Sequence, residues 1–404
     1  MSQESLHGLR SIPRGIWALG LVSMFMDISS EMIHSLLPVF LVSVLGASAM
    51  ALGLLEGIAE GTVNVVKIFS GALSDWLGKR KALAVVGYGM AALTKPLFPL
   101  ANSFSLVFLA RLIDRIGKGV RGAPRDALVA DLVPEGVRGA SYGLRQSLDT
   151  IGAFIGPLVA ICLMLAFKGE FRRVFWVAVL PAFVAVGLLV RFVHEQPNSV
   201  KPLKVRPQFQ WREIQHVSSA FWFVVAIGAV FTLARFSEAF LILRASNLGL
   251  SNNYVPLVLV VMNAVYAASS YPAGRLSDRV DRRLVLAIGG VALIVADLLL
   301  ATATGIIGLA AGISFWGFHM GFSQGLLAAL VADAAPLDRR GIAFGFFSLV
   351  SGIVLVIASL VAGTLWDRIG APATFYTGAS FAALGVLGLL LQLRTTPAAT
   401  TRAE

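Results

Sequence analysis

Apolar runs of about 20 residues recur along nearly the whole chain, each closed by a short polar or turn-forming segment. A run of that length crosses a hydrocarbon layer of roughly 30 Å as one helix. Against this punctuation the first half predicts spans near 16–45, 49–73, 82–101, 103–126, 139–166 and 173–193. The second half predicts spans near 218–243, 254–275, 284–303, 305–331, 341–364 and 371–392. The longest polar stretch between them, His194 to His216, carries Lys201, Lys204, Arg206, Arg212 and three prolines, a composition that suits a linker. The expectation is an all-α membrane protein of twelve transmembrane helices in two pseudo-symmetric six-helix bundles. The bundles span residues 1–194 and 217–404, joined by a cytoplasmic linker at 195–216.

Composition strengthens this picture. Of 404 residues, 57% are hydrophobic and 14% charged, against roughly 25% charged in a soluble domain. The bilayer is therefore the expected solvent for most of the surface. A net charge of +11 would suit a nucleic-acid partner if the cations lined one face, but they fall in short segments between apolar runs. No nucleic acid is expected. Cys162, the single cysteine, lies inside an apolar run, so neither a disulfide framework nor a cysteine metal site is expected. The first 13 residues lead straight into a long span without a small-residue cleavage pattern, and that span is read as retained.

Charge then sets orientation, because Lys and Arg resist translocation and stay in cytoplasmic loops. The loops after spans 2, 4, 6, 8 and 10 hold Lys79, Arg80, Lys81, Arg138, Lys201, Arg279, Arg282, Arg283, Arg339 and Arg340. The opposite side holds the minority, Lys168, Arg172, Arg173, Arg244 and Arg368. This predicts a multi-pass inner-membrane protein with both termini cytoplasmic.

Two segments repeat. GALSDWLGKRK begins at Gly71 and GRLSDRVDRRL at Gly274, an offset of 203. VADLVPEGVRGASYG begins at Val129 and VADAAPLDRRGIAFG at Val331, an offset of 202 with seven of fifteen positions identical. Both matches fall in polar loops, where membrane composition does not force them. A shift of half the chain that returns each loop to the same side is the signature of parallel six-helix repeats.

The loop residues Gly71, Leu73, Ser74, Asp75, Gly78, Lys79, Arg80 and Lys81 resemble the motif between helices 2 and 3 of the major facilitator superfamily. Gly274, Leu276, Asp278 and Arg279 form its second copy, with Asp281 in place of the later glycine. The resemblance implies the major facilitator fold, and a loop that controls interconversion of inward-open and outward-open states. Gly71, Asp75, Gly78, Arg80, Gly274 and Asp278 would form the conformational gate. A glycine lets two helices approach, and an acid near a helix end can meet a cation or an N-terminal dipole. The competing reading of the basic run is that it only enforces topology. In helix 5, Gly143, Gly152, Gly156 and Pro157 resemble the pattern marking proton-coupled antiporters of the superfamily, which implies export. Close packing and a proline bend would account for the same residues structurally.

Ionisable groups inside spans cost roughly 2.5–3.5 kcal/mol each, so each one raises a functional question. Asp27, Glu31 and His34 share one face of helix 1 at i, i+4 and i+7. Glu56 and Glu60 lie deep in helix 2, where Lys67 is nearer the end and free to snorkel. Arg111 and Asp114 are the expected buried members of the charged face of helix 4, where the family resemblance links an arginine to proton transfer. Lys118, Arg121 and Arg125 are accounted for by the positive-inside bias. Arg145 and Asp149, one turn apart on helix 5, can pair. Helix 7 offers Arg235 and Glu238; helix 10 offers Trp316, His319 and Gln324 on roughly one side. Asp27 or Glu31 facing Arg111 would suit proton coupling, since burial and an approaching cation move a carboxyl group's proton affinity in opposite directions. The same residues could instead be a permanent ion-pair network.

The function expected is a secondary transporter working by alternating access, proton-coupled and exporting a small solute. A proton-coupled importer is the near alternative. Metal-ion export, through Asp27, Glu31, His34 and His319, is a weaker one. No nucleophile with its base is assembled for an enzyme, and no phosphate-binding loop for ATP hydrolysis. A receptor or scaffold gives no reason for so many charges within spans. No cofactor or bound metal is expected; the partners are lipid, solute and protons, and the unit is a monomer.

Overall fold

The computed structural model describes residues 12–133, 137–195, 219–335 and 340–395. Every regular element among them is helical, as expected where lipid leaves backbone N–H and C=O groups only each other as partners. The long segments are α1 Arg14–Val44, α2 Ala49–Leu77, α3 Arg80–Leu100, α4 Phe104–Leu132, α5 Arg138–Ala166 and α6 Phe171–Phe192. They continue as α7 Ser219–Asn247, α8 Leu257–Ser277, α9 Arg282–Thr302, α10 Ile306–Ala334, α11 Arg340–Arg368 and α12 Ala371–Thr395. Eleven of them are long and apolar enough to cross a membrane. The twelfth, α4, matches its neighbours at 29 residues but carries the dense row of charges from Arg111 to Asp131.

Three helices that the hydrophobic pattern draws as continuous are interrupted. α1 breaks after His34 and resumes at Leu37 and Pro38, closing on a wide turn from Phe40 to Val44. α3 stops at Thr94, with Lys95 at its end and Pro96 before the short helix Leu97–Leu100. Proline explains both, since its ring removes a backbone donor and crowds the preceding turn. α7 breaks between Ala234 and Ala239 without a proline.

The chain divides into two compact units. The first takes α1, α3 to α6, α2 from Ile58 onward and the stretch 252–257; the second takes residues 48–57 of α2 and the rest of α7 to α12. The division therefore falls within α2 rather than only at the expected linker, whose residues 196–216 lie outside those described.

In the first unit α1 packs on α5 and α6, and α3 packs on α4 and α6. Its core joins Ile16, Leu19 and Val22 to Tyr88, Ala185 and Leu189. Gly87 and Gly117 let α3 and α4 touch: a Cβ on Gly87 would lie 2.6 Å from the Gly117 carbonyl oxygen. In the second unit α7 packs on α11 and α12, and α9 packs on α10 and α12. This is the same scheme six helices further on. Within the second unit, residues 48–57 seat on α11, where a Cβ on Gly57 would lie 2.8 Å from the Val356 Cα. Asp367 accepts hydrogen bonds there from the Ala49 and Met50 N–H groups at 3.0 and 2.8 Å.

The repeat seen in the loops extends to ion pairs. Arg80, opening α3, pairs with Asp131 at the end of α4; Arg282, opening α9, pairs with Asp333 at the end of α10. Each pair joins the start of one helix to the end of the next in its own unit.

Candidate functional site

The charged face of α4 is the centre of the first unit. Arg111, Asp114, Arg115 and Arg121 are all buried, a placement that buried charges tolerate only with partners. Lys95, brought inward by the break in α3, donates to Asp114 Oδ1 at 2.9 Å and to Ser30 Oγ of α1 at 3.0 Å. Arg115 lies 3.1 Å from Glu60 and 3.5 Å from Asp114, and Arg111 lies 3.9 Å from Glu60. The Arg121 guanidinium sits 4.4 Å over the Tyr88 ring, a favourable cation–π geometry. Lys95 was not singled out from the sequence, although it stands inside the expected span 82–101 and meets the same test of charge within a span.

Opposite this face, α5 holds α1. A Cβ on Gly152 would lie 2.6 Å from the Met24 carbonyl oxygen and 3.1 Å from the Asp27 Cβ. One on Gly156 would lie 2.7 Å from the Glu31 Cβ. The absence of side chains at these two positions sets the distance between the helices at the two acids. Pro157 follows inside the same helix. Gly143, the first residue of the pattern, faces open space and takes no part in this contact.

Asp27 and Glu31 are half-buried, and His34 Nδ1 lies 3.4 Å from Glu31. The charges that act on Asp27 are Asp149, Lys118, Arg121 and Glu31; those that act on Glu31 are His34, Lys118 and Arg115. Lys118 acts on Glu60 as well. Arg111 lies beside Glu60, and Lys118 is a cation whose charge reaches all three acids. Arg121 and Arg125 also differ from their expected topological role. Arg121 is buried, and Arg125 donates to Asp126 at 3.1–3.2 Å and to Ser23 of α1 at 3.3 Å. Lys67 stays exposed with its stem along Gly122.

Arg145 and Asp149 form the expected pair at 2.6 Å. They belong to a larger group: Arg125 approaches Asp149 at 4.0 Å, Arg145 approaches Asp126 at 3.9 Å, and Tyr142 donates to the Asp126 carbonyl at 2.6 Å. Ser23 and Tyr88, 3.1 Å apart, tie α1 and α3 into it.

The remaining candidates belong to the second unit. Glu56 is buried in the stretch of α2 that belongs to the second unit. Arg235 and Glu238 sit at the break in α7 rather than on one continuous helical face. His319 is fully enclosed, its Nδ1 on the Gly289 carbonyl at 2.8 Å, so it fastens α10 to α9. Trp316 is buried, whereas Gln324 is exposed and meets Tyr266 at 3.2 Å, so the three helix 10 residues do not share one side. Among the described residues no three His, Cys, Asp or Glu side chains converge as a metal site. Of the group named from sequence, Asp27, Glu31 and His34 belong to the first unit and His319 to the second.

Of the gate residues, Gly71 brings α2 onto α4, where a Cβ would stand 3.3 Å from the Ala123 Cβ. Gly78 takes a φ of 61° in the turn to α3, a conformation that glycine adopts freely. Arg80 gathers the turn: it pairs with Asp131, lies 3.4 Å from Asp75, and donates to the Ala127 carbonyl at 3.2 Å. Asp278 is exposed and Gly274 faces open space, so close approach at Gly71 has no counterpart in the second copy. Asp281 caps α9 instead, accepting from the Arg283 N–H at 2.8 Å.

Two units that repeat one helix-packing scheme, the first centred on paired charges within membrane-length helices, match known proteins along the chain. The Major Facilitator Superfamily model matches residues 19–243 and 238–404. An uncharacterized MFS-type transporter of Methanocaldococcus jannaschii is 31% identical over 395 residues, covering 96% of this chain and 97% of that one. The quinolone resistance protein NorA of Staphylococcus aureus is 25% identical, covering 88% of this chain and 90% of its own. A solved POT family transporter in complex with 5-aminolevulinic acid shares the fold with a TM-score of 0.80 at 12% identity, covering 96% of this chain and 97% of its own. The chain belongs to the Major Facilitator Superfamily and is a multi-pass membrane transporter.

Proposed function

We propose that the protein exports a small solute in exchange for protons, using the carboxylates of α1 as the proton-carrying groups. The observation that carries this reading is the contact of Gly152 and Gly156 with α1 at Asp27 and Glu31. Two of the helix 5 residues that resemble an antiporter pattern help to set the surroundings of these two acids. Similarity to a drug resistance protein supports the export direction.

Proton exchange needs a carboxyl group that meets water on alternate sides while its electrostatic surroundings change. Asp27 and Glu31 are acids within reach of the field of Lys118. Movement of α4 relative to α1 would change that field, favouring proton release where the cation is near and uptake where it is far. The buried pair Lys95–Asp114 and the half-buried pair Arg115–Glu60 hold the rest of the α4 face in register. The basic loops orient the protein with both termini in the cytoplasm of a cell whose inner membrane it spans.

The test is transport by the purified protein in liposomes under an imposed pH gradient, with Asp27→Asn and Glu31→Gln. An amide keeps shape and hydrogen bonding but does not titrate. One of the two should lose gradient-driven export while keeping solute exchange without a gradient. Full pH-driven transport by both variants would move the coupling site to Glu60 or Asp149.

A further inference from the structure

Asp297 lies in the C-terminal third of α9, fully enclosed, and neither of its carboxylate oxygens has a hydrogen-bond partner. An ionised carboxylate left so costs far more than its neutral acid, so its surroundings matter. Two of them converge on one point. A Cβ on Gly378 of α12 would lie 2.6 Å from Asp297 Oδ2 and 3.1 Å from the carbonyl oxygen of Ala234. The two oxygens can be no further apart than the sum of those lengths. Gly378 leaves the space into which the acid reaches.

Ala234 is the last residue before the break in α7. The helical ladder there ends with the Arg235 N–H donating to Phe231, and restarts with the Phe240 N–H donating to Ser237. A carbonyl at the end of a helix lacks its intrahelical amide and seeks another donor. Inside a membrane that donor must be protein or water.

We infer that Asp297 holds a proton as a carboxylic acid and, by donating it to the Ala234 carbonyl, closes the broken turn of α7. The second unit then carries its own proton-operated latch. Loss of the proton to water converts the O–H donor into a carboxylate facing a carbonyl oxygen, two like partial charges, and the turn opens. Rebinding a proton from water restores the donor. No other reactant is required.

The neighbouring ionisable groups leave this role to Asp297. On α7, Arg244 is occupied by the carbonyls of Leu300, Ala301 and Ala303, while Arg235 and Glu238 stand in the break itself. On α10, His319 is bonded to Gly289, and Asp333 pairs with Arg282 at the far end of α9. Tyr376 of α12 is exposed. None of them hydrogen-bonds to Asp297.

The experiment uses the full-length protein in lipid nanodiscs and compares wild type with Asp297→Asn and Asp297→Leu. Infrared spectra at pH 7 should contain a protonated carboxyl C=O band that is lost in Asp297→Asn. Hydrogen exchange across residues 234–240 should stay slow in Asp297→Asn, whose amide still donates, and rise in Asp297→Leu. At high pH the wild-type band should vanish and its segment should exchange faster than that of Asp297→Asn. A carboxyl band that persists unchanged in Asp297→Asn overturns the inference, as does equal exchange in all three proteins at both pH values. No readout involves transport, so the result is independent of the coupling proposed for α1.

Discussion

Gly156 of α5 abuts Glu31 of α1 so closely that an added Cβ would stand 2.7 Å from the Cβ of the acid, with the Ile28 carbonyl oxygen at 3.0 Å. Backbone on one side and a helical Cβ on the other leave little room to yield. Gly156→Ala should therefore force the helices apart and cost about 1–3 kcal/mol, the usual penalty of overpacking. Thermal unfolding in detergent checks it, with Gly143→Ala as the comparison. Gly143 faces open space, so its substitution should change stability by no more than about 0.5 kcal/mol. Equal losses for both would remove packing as the reason for the pattern.

A second expectation concerns Lys95. It is buried against Asp114 at 2.9 Å, and removing one partner of a buried pair strands the other at about 3–5 kcal/mol. Arg115, 3.5 Å from Asp114, should soften this for Lys95→Met. The double variant Lys95→Met with Asp114→Leu should be more stable than Lys95→Met alone. Additive losses in the thermal melts would mean that the pair contributes nothing as a pair.

These pairs show what a sequence does and does not disclose in a membrane protein. Span positions were legible because length and apolarity are fixed by the bilayer. The half-repeat was legible because Asp131 and Asp333 stand in matching loops, and the structure gives them matching partners in Arg80 and Arg282. The i, i+4 pair Arg145–Asp149 followed from helical geometry alone. Partners across helices did not, since spacing along one helix says nothing about rotation against another. Hence the contact of Arg111 with Glu60 and that of His319 with the Gly289 carbonyl were not foreseen. The break in α7 carries no proline to mark it. Asp297 and Lys95 were visible as charges within spans; what made them matter, one enclosed without a partner and the other with two, required the neighbouring helices.

Asp281 offers a pH-dependent expectation outside the membrane. Hydrogen bonds from the Arg283 side chain and N–H hold its carboxyl below the ordinary value of 3.8. A depressed folded-state pKa contributes stability that is present above the unfolded value and is lost as pH falls through the folded one. Asp281→Ala should thus lower stability by about 0.5–2 kcal/mol at neutral pH, as loss of an N-cap does. The difference from wild type should shrink only below about pH 3.8. Melts of both proteins from neutral to acid pH measure this; a constant difference throughout would exclude the ionised cap.

Lys118 provides the test of how the first unit reads protons. It is exposed along α4, yet its charge reaches Asp27, Glu31 and Glu60. A nearby cation favours the ionised form of a carboxyl group. Removing it by Lys118→Met should therefore let the coupling acid take its proton at higher pH. The pH profile of solute exchange in liposomes should move upward by roughly half to one unit, the scale of an exposed charge pair. Lys118→Arg should restore the original profile, because charge rather than shape is at stake. If Asp27 is the coupling acid, the shift should disappear in an Asp27→Asn background and survive in Glu31→Gln; the reverse pattern assigns the role to Glu31. An unchanged profile in Lys118→Met, with normal expression and melting, would return Lys118 to a purely topological role and leave Arg115 and Arg121 as the cations that set the proton affinity of α1.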